Sequence, residues 1–232
     1  MLPTEKLRVG INFGNTVLVN KDADGKPYGI VVDLANELAR RLNVPLEFIT
    51  YDSAGRMADG AKSRAWDVAF LAADPAREEE IAFSEPYFEI DSTYLVPDDS
   101  PIQNLAEVDC NGVRIALSER SAYDLFLTRT IRHATLIRAS SPGASVEIFF
   151  GEKLDALAGI RPMLNDVARN HPGTRVLDGR FSAVQQAVAT PKGNDAMAQF
   201  LRSFVQEIRQ SGYVEEVIRK NSVADRSKLA IG

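Results

Sequence analysis

Short apolar runs alternate with helix-period segments along most of this chain, and that alternation restricts the fold more than any other feature. Leu7-Arg8-Val9-Gly10-Ile11 reads as a strand. Residues 33–42 read as an amphipathic helix, with Leu34, Leu38 and Leu42 on one side and Arg40 and Arg41 in the last turn, where they complement the helix dipole. Residues 46–49 are a second strand, 55–64 a second helix, and Val68-Ala69-Phe70-Leu71 a third, fully buried strand. The order β-α-β-α-β implies a parallel sheet with right-handed crossovers.

The third strand opens the most informative stretch, Trp66 to Tyr87. Trp66 stands where the strand begins and is expected in the core. Asp74-Pro75 ends the strand, because proline fixes φ and cannot continue a ladder. Arg77 follows at the mouth of that turn, then an acidic piece, Glu78-Glu79-Glu80, expected to be helical, and then Phe83-Ser84-Glu85-Pro86-Tyr87. A strand that delivers a fixed cation to the loop at its carboxyl end has a binding-site geometry in open α/β sheets. The alternative is that Arg77 merely pairs with Glu78 to Glu80 on a solvated face.

The alternation restarts beyond a strand at 93–96 and a polar segment at 97–104. Strands are expected at 113–117, 134–138, 154–160, 174–177 and 183–189. Helices are expected from the loop at 118–123 through about 131, and at 144–151, 163–170, 196–211 and 214–221, with the last eleven residues frayed. The breaker-rich 22–27 segment reads as a hairpin turn; Asp22, Asp24 and Gly25 resemble a calcium loop only faintly, since its closing glutamate is missing.

The 232 residues suit one large domain or two small lobes, and 45% hydrophobic with 25% charged residues supports an ordinary buried core. A net charge of −5 argues against a nucleic-acid partner, which needs a clustered basic face. No apolar run approaches the roughly 20 residues that cross a bilayer. MLPTEKLRV lacks the apolar centre of a signal peptide, so the protein is either cytosolic or begins after a removed leader. Cys110 stands alone, which excludes an internal disulfide. Phosphate loops, a nucleophile elbow and metal-binding spacings are all missing; His133 and His171 read as surface or helix-end residues. No cofactor or metal is expected.

Several motifs, in order, resemble the family-3 solute-binding proteins of bacteria, the polar-amino-acid receptors of ABC importers. They are Gly29-Ile30-Val31-Val32-Asp33-Leu34-Ala35, Trp66-Asp67-Val68, Arg77 with Phe83-Ser84-Glu85-Pro86-Tyr87, Leu154-Asp155-Ala156, and Lys192-Gly193-Asn194. The resemblance spans nearly the whole chain. It implies a two-lobed periplasmic-binding-protein fold of type II, two α/β lobes joined by two hinge strands. Lobe 1 would be residues 1–93 with 189–232 and lobe 2 residues 94–188, with ligand held between them by hinge closure. It also implies a periplasmic, monomeric, non-enzymatic receptor that works with ABC permease membrane subunits.

The resemblance assigns Arg77 to the ligand's α-carboxylate, which a planar guanidinium can hold bidentately at any physiological pH. Ala72 and Asp74 flank that contact. Asn12, Phe13 and Asn15 match the first-lobe loop lining the side-chain pocket, where they could equally be turn and core residues. Ser53 stands where the family often carries an aromatic lid. Arg120, Ser121 and Ala122 match the second-lobe loop that offers backbone N–H groups to the carboxylate, and Ser121 could instead be a plain N-cap.

Three departures matter. The segment before Arg77 is two residues short, with Ala72-Ala73-Asp74 replacing Thr-x-Thr. Arg120-Ser121 replaces a glycine-threonine pair. Ile160 stands where the ammonium-binding aspartate would fall, with Arg161 beside it. An isoleucine cannot hold an ammonium group, so the expected ligand is a carboxylate without a free α-amine or an anion with more than one acidic group. Otherwise Arg161 points away or pairs with Asp74. The same fold also hosts small-acid dehydratases of the cyclohexadienyl type; Glu119 would be the candidate acid or base for that alternative.

Overall fold

The computed structural model describes residues 5–221, so the fraying expected at 222–232 lies outside the described residues. In chain order the first elements are β1 (Leu7–Asn12), β2 (Asn20–Lys21), β3 (Pro27–Tyr28), α1 (Ile30–Leu42), β4 (Leu46–Tyr51), α2 (Ala54–Asp59), β5 (Val68–Ala72), β6 (Ile81–Phe83) and β7 (Phe88–Pro97). Then come β8 (Arg114–Ser118), α3 (Ala122–Thr130), β9 (Thr135–Ala139), α4 (Pro142–Gly151), β10 (Ala156–Ile160), α5 (Arg161–Asn170), β11 (Thr174–Val176), β12 (Ser182–Pro191), α6 (Asp195–Gln210) and α7 (Tyr213–Lys220).

The chain divides into two units. One holds the chain up to Glu89 and again from Gln185; the other is Ile90–Val184. The chain passes between them inside β7 and again inside β12.

In the first unit β4, β1 and β5 lie side by side in parallel, as the alternation requires, and β12 runs antiparallel along β5. Every residue of β5 is buried, which is why its apolar run is continuous rather than alternating. Trp66, fully buried as expected, packs with Met57, Leu71 and Ile81, and its indole N–H donates to the Met57 carbonyl at 2.8 Å. That ring stops α2 short of the expected helix over 55–64. A Cβ at Gly60 would meet Trp66 Nε1 at 2.5 Å and the Tyr51 hydroxyl at 2.6 Å, so the chain turns there with its backbone against the indole.

Helix α1 starts three residues before the expected 33, behind Gly29 at φ 126°. The acidic piece after Arg77 is not helical: residues 75–80 form turns, and β6 follows. The Asp74 carboxylate accepts the Ala76 N–H at 2.9 Å and the Arg77 N–H bonds back to the Asp74 carbonyl, so a local side-chain turn displaces a helix. The hairpin turn at 22–27 forms as expected, with the Asp22 carboxylate accepting the N–H groups of Asp24 and Lys26.

In the second unit β8 lies between β9 and β10, all parallel, and β7 runs antiparallel to β10 with β11 on its other side. Its core gathers Leu95, Ala116, Phe149, Leu154, Leu157 and Leu164. His133 is exposed, and His171 caps the end of α5, where its ring stacks on Phe150 at 4.4 Å.

Candidate ligand-binding site

The first unit's candidate residues all follow the carboxyl ends of adjacent parallel strands. Asn12 ends β1 and pairs in register with Tyr51 at the end of β4, Ser53 follows β4, and Ala72 ends β5. Ser53 is buried and caps α2, its hydroxyl accepting the Arg56 N–H at 3.4 Å. Asn12 shapes the next loop by accepting the Gly14 N–H at 2.9 Å. The Asn15 Oδ1 is buried with no hydrogen-bond partner among the described residues. Phe13 is half-buried, and Lys21, which the sequence reading did not single out, holds its ammonium 4.1 Å from the ring centroid.

Arg77 is buried rather than displayed on a solvated face, at 6% exposure. Its side chain turns back along β5 so that Nη1 donates to the Ala72 carbonyl at 2.6 Å. The same turn buries Asp74. Ala72, Asp74 and Arg77 therefore form one contact cluster at the strand end. The Ala72 carbonyl at the head of that turn is what holds the guanidinium. Behind it, a bidentate pair between Arg8 and the buried Asp67 ties β1 to β5, with the shorter contact at 2.7 Å.

The second unit repeats the arrangement. Strands β8, β9 and β10 end where α3, α4 and α5 begin, so three helix N-termini share one edge of the parallel strands. Ser121 is the N-cap of α3, its hydroxyl accepting the Asp124 N–H at 3.1 Å, and Ala122 is the first helical residue. Arg120 is exposed and takes a left-handed backbone at φ 56°.

Asp124 holds that loop. It is buried at 3% exposure and accepts the Arg120 N–H at 2.6 Å and Arg138 Nε at 3.0 Å. The sequence reading missed this residue, although Ser121-x-x-Asp124 has the spacing of a capping box. Burial pushes the neighbouring Tyr123 phenol up to about 12.

Ile160 is buried and is the N-cap of α5 without a side-chain cap. Arg161, the first residue of α5, donates from Nη1 to the Leu177 carbonyl at 3.3 Å and from Nη2 to the Gly179 carbonyl. Its Nε lies 4.0 Å from Asp91, which also accepts Arg180 at 2.9 Å. The charge of Arg161 is thus met within its own unit, by partners more than sixty residues distant for Asp91, which no local pattern announces. Glu119 is exposed, with its backbone N–H bonded to the Ala139 carbonyl.

Residues 7–222 match the model of the bacterial extracellular solute-binding proteins, family 3. The chain belongs to that family. Among curated relatives, the lysine/arginine/ornithine-binding periplasmic protein of Escherichia coli (strain K12) is 22% identical over 93% of this chain and 87% of its own length. The histidine-binding periplasmic protein of Salmonella typhimurium is 21% identical over the same shares, 93% and 87%. Among solved structures, the solute receptor for L-cysteine of Neisseria gonorrhoeae matches with a TM-score of 0.83 and 21% identity, covering 94% of this chain and 90% of that one. A mutant of ArgBP from T. maritima matches at 0.80 and 23% identity, covering 94% and 95%. These likenesses show the fold, the type II periplasmic-binding-protein fold expected from the sequence. No helix among the described residues is long and apolar enough to cross a membrane.

Proposed function

We propose that this chain is the periplasmic receptor of an ABC importer for a small carboxylate-bearing solute, that Arg77 anchors the carboxylate, and that the chain works as a monomer. The observation that carries this reading is the placement of Arg77. A buried guanidinium, oriented by the Ala72 carbonyl at the carboxyl end of a parallel strand, is preorganised for an anion. The α3 N-terminus with Arg120, Ser121 and Ala122 offers backbone donors of its own to an anion. The loop residues Asn12, Phe13, Asn15 and Ser53 line the remainder of the site.

The relatives are named for amino acids, several of them basic. In this reading Ile160 takes the place of the ammonium-binding acid and offers no carboxylate to an ammonium group, and Lys21 already stands over Phe13. We therefore read the solute as an organic acid or derivative without a free α-amine. Arg161 takes no part in repelling an amine in this reading, because Asp91 and two carbonyls hold it.

Calorimetric titration of Arg77→Ala and wild type against the solute carried over on purification, identified by native mass spectrometry, tests the anchor. A loss of affinity of about a hundred-fold or more is expected, the size of a bidentate charge-assisted contact. Equal affinities would overturn it. Tight binding of an unmodified amino acid that is abolished by acetylating its amine would overturn the ligand class alone.

A further inference from the structure

The second unit carries a cavity of about 550 Å³ that belongs to none of the loops above. It opens where β7 ends and β10 begins, around Pro97 and Asp155, the edge of the unit opposite the N-termini of α3, α4 and α5. Its volume falls within the roughly 300–1,000 Å³ of small-molecule sites. Its floor rests on the core residues Phe149 and Leu154, both 2% exposed, and its apolar walls come from Phe150, whose ring stacks on His171, and three prolines, Pro97, Pro101 and Pro172.

Three charged side chains line it. Asp155 is already occupied, accepting the Arg114 N–H at 2.8 Å and lying 3.6 Å from its guanidinium. Lys153 and Asp99 are exposed, and neither has an ion-pair partner among the described residues. Lys153 also occupies an unusual backbone. Two hydrogen bonds, from Lys153 N–H to Phe150 and from Leu154 N–H to Phe149, close the end of α4 with Lys153 at φ 49°. Glycine is favoured there, and a lysine strains the backbone. Among the described residues its side chain makes no ion pair or hydrogen bond that would offset that strain.

We propose that this cavity is a second binding site, for a small zwitterion with a flat apolar body. The carboxylate meets Lys153, the ammonium meets Asp99, and the body lies against the free edge of Phe150 and the prolines. Charge balance favours a zwitterion over either singly charged molecule, since one free cation and one free anion line the walls.

The test uses L-phenylalanine as probe, with the full chain carrying Arg77→Ala so that the proposed carboxylate site is disabled, followed by amide NMR. The expected result is saturable shifts at residues 149–155, 173 and 174. 3-Phenylpropionate and phenethylamine should each bind more weakly, and Asp99→Asn or Lys153→Gly should each weaken L-phenylalanine at least about five-fold, the worth of one part-exposed ion pair. Lys153→Gly should melt no lower than its parent, because glycine suits that backbone. The proposal is overturned if no saturable shifts arise there, if the singly charged probes bind as tightly, or if neither substitution weakens binding.

Discussion

Asp124→Ala removes the carboxylate that organises the loop at 118–122, and the structure sets the size of the effect. The Arg120 N–H, held at 2.6 Å in a left-handed backbone, loses its acceptor. A hydrogen bond to a buried charged group contributes about 1.5–3 kcal/mol. The Arg138 contact adds less, because that side chain is 39% exposed and regains water, so about 1 kcal/mol at most. The Thr128 hydroxyl, 3.2 Å from the carboxylate, keeps its bond from Arg138 and contributes little. The total is about 2–4 kcal/mol, which in a chain of this size lowers the melting temperature by roughly 5–15 °C. Asp124→Asn keeps an oxygen for the Arg120 N–H and gives up only the charge, so it should melt between wild type and Asp124→Ala. Differential scanning calorimetry of the three proteins reads this directly. An alanine variant that melts within a degree of wild type, or above the asparagine variant, would refute the idea that this carboxylate holds the loop.

Gly29→Ala should destabilise by about 1–3 kcal/mol from backbone strain alone, since φ is 126° and a Cβ would lie 2.6 Å from the Leu18 carbonyl. Gly143→Ala, with only Ser141 Oγ at 4.0 Å, should change stability by less than about 1 kcal/mol in chemical denaturation. Trp66→Phe should cost about 1–3 kcal/mol in the same assay, mainly through the space left by the indole, since the Met57 carbonyl keeps the Gly60 N–H at 3.2 Å. Hydrogen bonds from Arg40 and then Arg41 lower the Glu37 carboxyl to about 2. A depressed folded-state value stabilises above the unfolded carboxylate range and loses that contribution as pH falls toward 2. The stability gap between wild type and Glu37→Gln should therefore shrink between about pH 5 and pH 2; a constant gap would contradict it.

The order of strands and helices was legible because period-2 and continuous apolar runs differ from period-3.6 stripes wherever a segment has one buried side. That signal located β1, β5, α1 and α6 to within a few residues. It failed where side chains overrule periodicity. Glu78 to Glu80 favour a helix by propensity, yet Asp74 captures the Ala76 N–H and holds turns instead. Gly60 looks like a tolerable helix interior until the indole of Trp66 is placed against it. The strand ends that carry the candidate residues were legible, since strand ends can be read from the sequence. Their partners were not: Arg161 finds Asp91 and the carbonyls of Leu177 and Gly179 only after β7, β10 and the loop beyond β11 assemble. Asp124 is the exception, announced locally by its serine three residues earlier.

The two strand crossings also order the events of folding. The unit at 90–184 is one continuous segment, complete once its last residue is synthesised. The other unit is interrupted: β5 receives β12 only from the returning chain, with Gln186 opposite Ala72 and Ala189 opposite Ala69. A nascent chain that has reached residue 184 thus carries one finished unit and one with β5 as a bare edge, open to pairing with other chains. Until β12 pairs, that β5 edge is a site for misassembly. The unit that bears Arg77 is the last to close.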